Sequence, residues 1–476
     1  MTRTPTTTDL TTDVMNECIA QSIAYTRAHE ASQMEGFFEF LRLPSISTDP
    51  AYQEDLRGAA NWLCEHMLKI GFEEAYLLEN KGAPIVYGEC FKAPEGSPTI
   101  MIYAHYDVQP VKPLSRWYYD PFEPTVIDGK IYARGAVDDK CGVYFNLKAI
   151  ESMLEATGQL PVNIKVFFEG EEESGSPNMS HAIAQYRDKL KADLLIVSDG
   201  GSAPEQPYIT SGVRGIISAE IEIKGPKKDL HSGRFGGVVH NPVHQLSKII
   251  ASLHDEAGWV QIPGFYDDVL PVSTEERAAL ALQSEGLMSY QQEVAGVKAF
   301  WGIKEQAFLE RISHQPTCDV NGIYGGYQGD GTMTIIPTSA GCKITMRLVA
   351  NQDPFDIAQK FERFIESFRT ETLEISLKSR TGYSYPAKLL SEGPVVEALR
   401  ASYASIWQKT PQIVGMGGSI PILGMFYQEL AMPMVLFGFG IGDNQHAPNE
   451  FIYLREFRRS IDTAIDFYHR LGRISL

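Results

Sequence analysis

Four short runs of almost unbroken apolar residues punctuate the chain: SPTIMIYA (97–104), VNIKVFFEG (162–170), ADLLIVSD (192–199) and MPMVLFGFG (432–440). A strand with one face in water alternates apolar with polar residues, whereas a strand covered on both faces has no need to. Runs this short and this apolar read as central strands of a sheet that carries helices on both sides. The segments around them supply the helices. Residues 15–45 and 51–70 show helical periodicity, with Trp62, Leu63, Met67 and Ile70 on one face, and DKCGVYFNLKAIESMLEAT (139–157) and MSHAIAQYRDKL (179–190) lie between strands. Such alternation predicts an α/β fold with a mostly parallel central sheet.

From about Val213 the pattern changes. GIISAEIEIKG (215–225) and AGCKITMRLVA (340–350) alternate with period two, NPVHQLSKIIASLHD (241–255) and DPFDIAQKFERFIESFR (353–369) are helical, and LEISLKSRT (373–381) is a further strand. With one more strand before Pro337 the order is β-α-β-β-α-β, the split βαβ arrangement of an α+β domain. The division expected is a first part of one domain over 1–213, an inserted domain over 214–383 with a helical elaboration around 270–312, and the second part of the first domain over 384–476. The Gly-rich GIYGGYQGDGT (322–332) reads as a mobile loop.

Composition narrows the function by exclusion. Sixty acidic residues against 42 basic ones give a net charge of −18, which opposes binding to nucleic acid phosphates or to an anionic membrane surface. No apolar run approaches the length of a bilayer span, the N-terminal stretch has no apolar leader core, and the six cysteines are far apart with no C-x-x-C spacing. A cytoplasmic protein with reduced, buried thiols is expected.

The chemistry gathers just beyond the apolar strands. His105 and Asp107 follow the first, Glu171 and Glu172 follow the second, Asp199 closes the third, and His446 lies in GDNQHAPNE after the fourth, while Asp138 and Asp139 precede a helix. In open parallel sheets the ligand crevice lies outside the carboxyl ends of the strands. Any one of these residues alone is more often a loop residue, a helix cap or a solvated turn. Together they would concentrate carboxylates at one edge, and a divalent cation removes that repulsion. Imidazole plus carboxylate without thiolate suits zinc, manganese or cobalt. Five ligands exceed one tetrahedral ion but suffice for two if one carboxylate bridges. In H-x-D, Asp107 can also accept the second ring N–H of His105.

HYDVQP, ARGAVDDK, EGEEESGS, SDGG and GDNQHAPNE resemble, over nearly the whole chain, the motifs of the co-catalytic metallopeptidases, the family of carnosinase, the cytosolic non-specific dipeptidase, carboxypeptidase G and aminoacylase. The resemblance implies two metal ions, zinc first with manganese or cobalt as alternatives. His105, Asp138 and Asp199 would hold one and Asp138, Glu172 and His446 the other, with Glu171 as general base, Asp107 behind His105 and a cis peptide between Asp138 and Asp139. GGSIPI (417–422), KDLHSG (228–233) and MTIIP (333–337) followed by ITMRLV (344–349) resemble the dipeptidase and carnosinase branch. That branch implies a homodimer formed through the inserted lid domain, in which His231 and Thr334 serve the neighbouring subunit's site, His231 at the oxyanion, while Arg347 and Ser419 bind the substrate's C-terminal carboxylate. The expected activity is hydrolysis of dipeptides or short peptides, with deacylation of N-acyl amino acids or another exopeptidase reaction of the family as the alternative. Cys141 departs from the family pattern, which usually has Gly there, and places a thiol beside the expected metals.

Overall fold

A computed structural model describes residues 7–203 and 207–476. The chain forms two units: Met1–Ser211 with Leu389–Val414 and Phe426–Leu476, and Gly212–Lys388 with Gly415–Met425.

The first unit is built on a six-stranded sheet in the order Glu74–Leu78, Ile85–Cys90, Asn163–Glu169, Thr99–His105, Leu194–Val197, Met434–Leu436. Its last four strands run parallel, and the first two are antiparallel additions at one edge. All four apolar runs are strands, and they are buried along almost their full length. Both faces are covered. Ile100, Ile102, Ala104, Ile164, Val166, Phe168, Leu194 and Ile196 join one cluster with residues of the helices Glu30–Leu41, Gln53–Lys69, Lys140–Thr157 and Leu454–Leu471. On the opposite face Tyr103 and Phe167 meet the Phe426 ring edge-on at centroid distances of 5.4 and 6.0 Å. Each fully buried Val, Leu, Ile or Phe contributes about 1.5–3 kcal/mol, so this layered interior is the main stabilising term. The helix Lys140–Thr157 ends at Gly158, whose φ of 72° is a left-handed cap that glycine adopts without strain. The two antiparallel edge strands were not apparent from the sequence: EAYLL is mostly half-exposed and IVYGEC is interrupted by Gly88.

The second unit carries a four-stranded antiparallel sheet in the order Thr317–Gly325, Ser339–Leu348, Gly215–Lys224, Glu374–Ser384. With the helices Pro242–Ala251 and Pro354–Glu366 the chain order is β-α-β-β-α-β, as the alternation predicted. Gly215–Lys224 buries every second residue, and Ile217, Ile221 and Ile223 pack with Leu246, Ile249, Phe361 and Ile365 of the two helices. Both helices start in the same way: Asn241 and Asp353 accept first-turn N–H groups and a proline occupies the first position. The helical elaboration consists of Thr274–Ala295 and Phe308–Ser313. The stretch read as a loop over 322–332 begins as strand, since Thr317–Gly325 extends into it. Among the described residues no helix is long and apolar enough to cross a membrane.

Ile102 is fully buried in the middle of the parallel sheet, and Val126 is 45% exposed. Ile102→Ala should destabilise the first unit by about 2–5 kcal/mol, whereas Val126→Ala should change it by less than about 0.5 kcal/mol. The shift of the urea midpoint, followed by tryptophan fluorescence, measures both.

Candidate metal centre

Parallel pairing aligns the strand ends. His105 is the last residue of its strand and lies opposite Glu169, while Tyr103 pairs with Val197 and Val197 with Leu436. The residues that follow these ends therefore emerge at one edge. Asp138 arrives from another direction, just before the helix Lys140–Thr157, and its peptide bond to Asp139 is cis. Gly142 lets that helix come close, because a Cβ there would stand 2.2 Å from Asp139 Oδ1 and 2.5 Å from the Ser198 carbonyl oxygen.

Two groups of possible ligands result. His105, Asp138 and Asp199 form one and Asp138, Glu173 and His446 the other, each with ligand atoms within 4.8 Å of one another. Asp138 belongs to both. Its Oδ1 lies 3.1 Å from His105 Nε2 and its Oδ2 lies 3.1 Å from His446 Nε2. A tetrahedral ion with bonds of 2.0–2.1 Å has ligand atoms about 3.3 Å apart, so each imidazole and the carboxylate oxygen beside it are spaced as two ligands of one ion. The donors are all nitrogen and oxygen, which fits zinc, manganese or cobalt. Cys141 adds no thiolate, since its Sγ is buried 3.3 Å from the Val137 carbonyl oxygen and burial holds the thiol well above its ordinary range.

The glutamate run differs by one position from the sequence expectation. Glu173, not Glu172, joins the second group, with an oxygen 3.2 Å from His446 Nε2. Glu171, expected as base, turns to a different use: its carboxylate accepts from Asn80 Nδ2 at 3.1 Å and Asn178 Nδ2 at 3.0 Å and packs so tightly on Gly82 that a Cβ there would stand 1.6 Å from it. Glu172 lies between them, and the charges acting on it are those of His105, Asp199, Asp107 and Glu169. The cause is the turn Glu172–Ser174. Asp107 fixes it, with Oδ1 accepting the Glu172 N–H at 3.2 Å and Oδ2 the Glu173 N–H at 3.0 Å. Three identical residues in a row carry no phase, so only the turn decides which one faces which partner. Asp107 also stands behind His105, its Oδ1 3.4 Å from Nδ1 and its carbonyl oxygen 3.1 Å from the same atom.

Burial and crowding set the charges. Burial first, and then neighbouring carboxylates, push Glu172 up to about 9, Glu173 to about 7 and Asp199 to about 6. Burial would also raise Asp138, but hydrogen bonds from His105 and His446 overcome it and hold that carboxyl well below its usual range. Burial opposes the His105 imidazolium, yet Asp107 and Asp138 raise it well above its ordinary value, and Asp138 raises His446.

The remaining candidates lie in the second unit as two pairs. His231 pairs with Ile335 in a two-residue ladder, and the next residue, Ser232, donates its N–H to the Thr334 carbonyl oxygen at 2.9 Å. Both His231 and Thr334 are exposed. Arg347 donates from NH1 to Ser419 Oγ at 2.8 Å. Arg214, which the sequence did not single out, orders the loop that carries Ser419, with its Nε donating to the Gly417 carbonyl oxygen at 2.7 Å and its backbone N–H to that of Gly418 at 3.0 Å.

Comparison with known proteins gives these groups a context. Residues 101–471 match the family described as Peptidase family M20/M25/M40. The chain is 30% identical over 376 residues to the human Beta-Ala-His dipeptidase, covering 78% of this chain and 74% of that protein. It is 29% identical over 460 residues to the Cys-Gly metallodipeptidase DUG1 of Candida albicans, covering 91% and 93%. Among solved structures, an M20 family metallo-carboxypeptidase from Sulfolobus solfataricus superposes with a TM-score of 0.79 at 35% identity over 93% of this chain and 99% of that one. Human carnosine dipeptidase 1 superposes with a TM-score of 0.74 at 25% identity over 96% and 99%. The chain belongs to peptidase family M20/M25/M40.

Glu172, Glu173 and Asp199 bind protons more tightly in this fold than unfolded carboxyls, which titrate near about 4. Between about pH 4 and 9 these three groups therefore hold more protons in the metal-free folded chain than in the unfolded chain, and their contribution to stability falls as pH rises, against the smaller opposing set of His66, His469 and Lys140, which burial lowers. His105 and His446, also raised, act with the same sign, while Asp138, held low, opposes it only in acid. The melting temperature of chelator-treated protein should drop from pH 5 to pH 9, and saturating zinc should flatten or reverse that slope. A flat profile without metal would contradict the charge assignment.

Proposed function

We propose that this chain is a metal-dependent dipeptidase that cleaves dipeptides or short peptides bearing a free C-terminal carboxylate. The observation that carries the reading is the Asp138 carboxylate with one imidazole at each oxygen, 3.1 Å away on both sides. In this reading His105, Asp138 and Asp199 hold one divalent ion and Asp138, Glu173 and His446 the other, with zinc first and manganese or cobalt as alternatives. Bound there, the two ions supply Lewis acidity toward the scissile carbonyl and acidify the attacking water.

The chain's own residues do the rest. Glu172 takes a proton from the attacking water and returns it to the leaving amine. Its position one residue from the ligand Glu173 brings it to the reacting water without giving up its own carboxylate to an ion. Asp107 keeps both glutamates in place through their N–H groups and supports His105. Arg347 and Ser419 grip the C-terminal carboxylate, for which a guanidinium fork is well shaped. In a homodimer formed through the Gly212–Lys388 unit, His231 and Thr334 serve the neighbouring copy. His231 Nδ1 accepts the Gly233 N–H at 3.0 Å, which leaves Nε2 as the N–H that can donate to a developing oxyanion.

A second reading has an observation of its own. The 35% identity to a metallo-carboxypeptidase favours release of C-terminal residues from longer peptides. Deacylation of N-acyl amino acids is the remaining alternative within the family. A panel of dipeptides, tetrapeptides and N-acetyl amino acids separates the three, and turnover confined to either of the last two classes would overturn the dipeptidase reading.

Glu172→Gln should lower kcat by about 10²- to 10⁴-fold with two ions still bound by elemental analysis. Glu173→Gln should lose metal, and Glu171→Gln should keep both metal and most of the activity. If Glu171→Gln were the variant that abolished turnover with metal retained, the base would be Glu171.

A further inference from the structure

We propose that Arg134 and Glu450 form a buried positioning pair that holds Asp138 where it can serve two cations at once. The inference rests on the metal assignment made above. Glu450 is fully buried and Arg134 is 2% exposed, and they meet through NH1 and Oε2 at 2.5 Å across 316 positions of sequence. Neither residue is a ligand or touches the substrate in the mechanism above.

Their hydrogen bonds fall on the backbone that carries the ligands. Glu450 Oε1 accepts the N–H groups of Val137 at 3.0 Å and Asp138 at 3.1 Å, and Oε2 accepts that of Gly135 at 3.1 Å in addition to Arg134. A carboxylate offers about four acceptor sites, so this one is saturated. The segment that delivers Asp138 cannot slide without leaving a buried donor unpaired, which is unfavourable because that donor has lost its water as well. Arg134 extends the hold to the other ligand segments. Its NH2 donates to the Pro110 carbonyl oxygen at 3.2 Å, in the loop that begins with His105 and Asp107, and to that of Ala447 at 3.3 Å, next to His446. One ion pair thus fastens three of the segments that converge on the metals.

A structural reading of the same pair would make it a stabilising salt bridge. Buried pairs contribute little net stability against apolar replacements of the same volume, and here every side-chain hydrogen bond apart from the pair itself goes to a segment bearing a candidate ligand. Metal-site hydrogen-bond partners of this kind typically contribute 10- to 100-fold in affinity. The pair therefore acts on cation binding rather than on the fold as a whole.

Glu450→Asp and Arg134→Lys keep the opposite charges but shorten one partner or remove its fork. Each variant should raise the zinc dissociation constant by about 10–100-fold in a competition titration against a chromophoric chelator. Each should also change the visible absorption of the cobalt-loaded protein, while the metal-free melting temperature stays within a few degrees of the native value. Native zinc affinity and an unchanged cobalt spectrum, with a lowered metal-free melting temperature, would reduce the pair to a structural ion pair and overturn the inference. If Glu450→Asp fails to fold, Arg134→Lys decides by the same two readings, and failure of both to fold overturns the inference as well, since the pair would then serve the fold itself. A native protein that bound neither zinc nor cobalt would instead remove the metal assignment, an outcome the variants do not share.

Discussion

The Asp138 carboxylate, set between two imidazoles at 3.1 Å on either side, is the contact on which the rest of this edge depends. It is one of four acidic side chains, with Asp199, Glu172 and Glu173, brought together where buried strands end. Without a cation such a group can stand only by holding protons, which is why burial and mutual repulsion push three of the four upward. Two divalent ions would allow all four to ionise. The same crowding that costs stability in the bare chain thus becomes the attraction that binds metal, and the two effects cannot be designed separately.

The surrounding structure exists to keep that crowding in register. Parallel strands end level with one another, so residues from separate parts of the chain meet without long loops. Asp107 shows how few contacts this takes: one buried carboxylate stands behind His105 and accepts the N–H groups of Glu172 and Glu173. It thereby couples the first strand to the turn after the second. Arg134 and Glu450 tie the Asp138 segment to the His446 segment in the same manner. Candidate ligands that arrive on separate segments are steadied by hydrogen bonds to backbone, which have little freedom to rearrange.

Much of this was legible in the residues. The four apolar runs, the helices between them and the β-α-β-β-α-β order follow from hydrophobic period, because burial on one face or two writes itself directly into composition. His105, Asp138, Asp199 and His446 were visible as ligand-type residues at strand ends or before a helix. The antiparallel strands Glu74–Leu78 and Ile85–Cys90 were not, since both are short, the first is mostly half-exposed and the second, though buried, is interrupted by Gly88. Arg134 and Glu450 left no signal either, because their partnership spans 316 positions. Arg214 was hidden for a similar reason: its hydrogen bonds go to carbonyl oxygens of a distant loop, and backbone acceptors have no letter in the sequence.

The glutamates of EGEEESGS show where reading by residue type stops. All share one chemistry, yet each meets a different surrounding. Glu169 is fully buried, accepts the Tyr103 hydroxyl at 2.7 Å and is pushed up to about 8 by burial. Glu171 is spent on Asn80 and Asn178. Glu172 feels the charges of His105, Asp199 and Asp107 and is pushed up to about 9, by burial first. Glu173 turns to His446, with Gln109 Nε2 donating to it at 2.7 Å. A strand would send alternate residues to opposite faces, and a helix would separate them by about 100°. The tight turn does neither, so neighbouring carboxylates are sorted one by one by whichever donor stands nearest. The different surroundings of these side chains are thus a property of the turn and of Asp107 beneath it, and that is why one position of register separates the proposed ligand Glu173 from the proposed base Glu172.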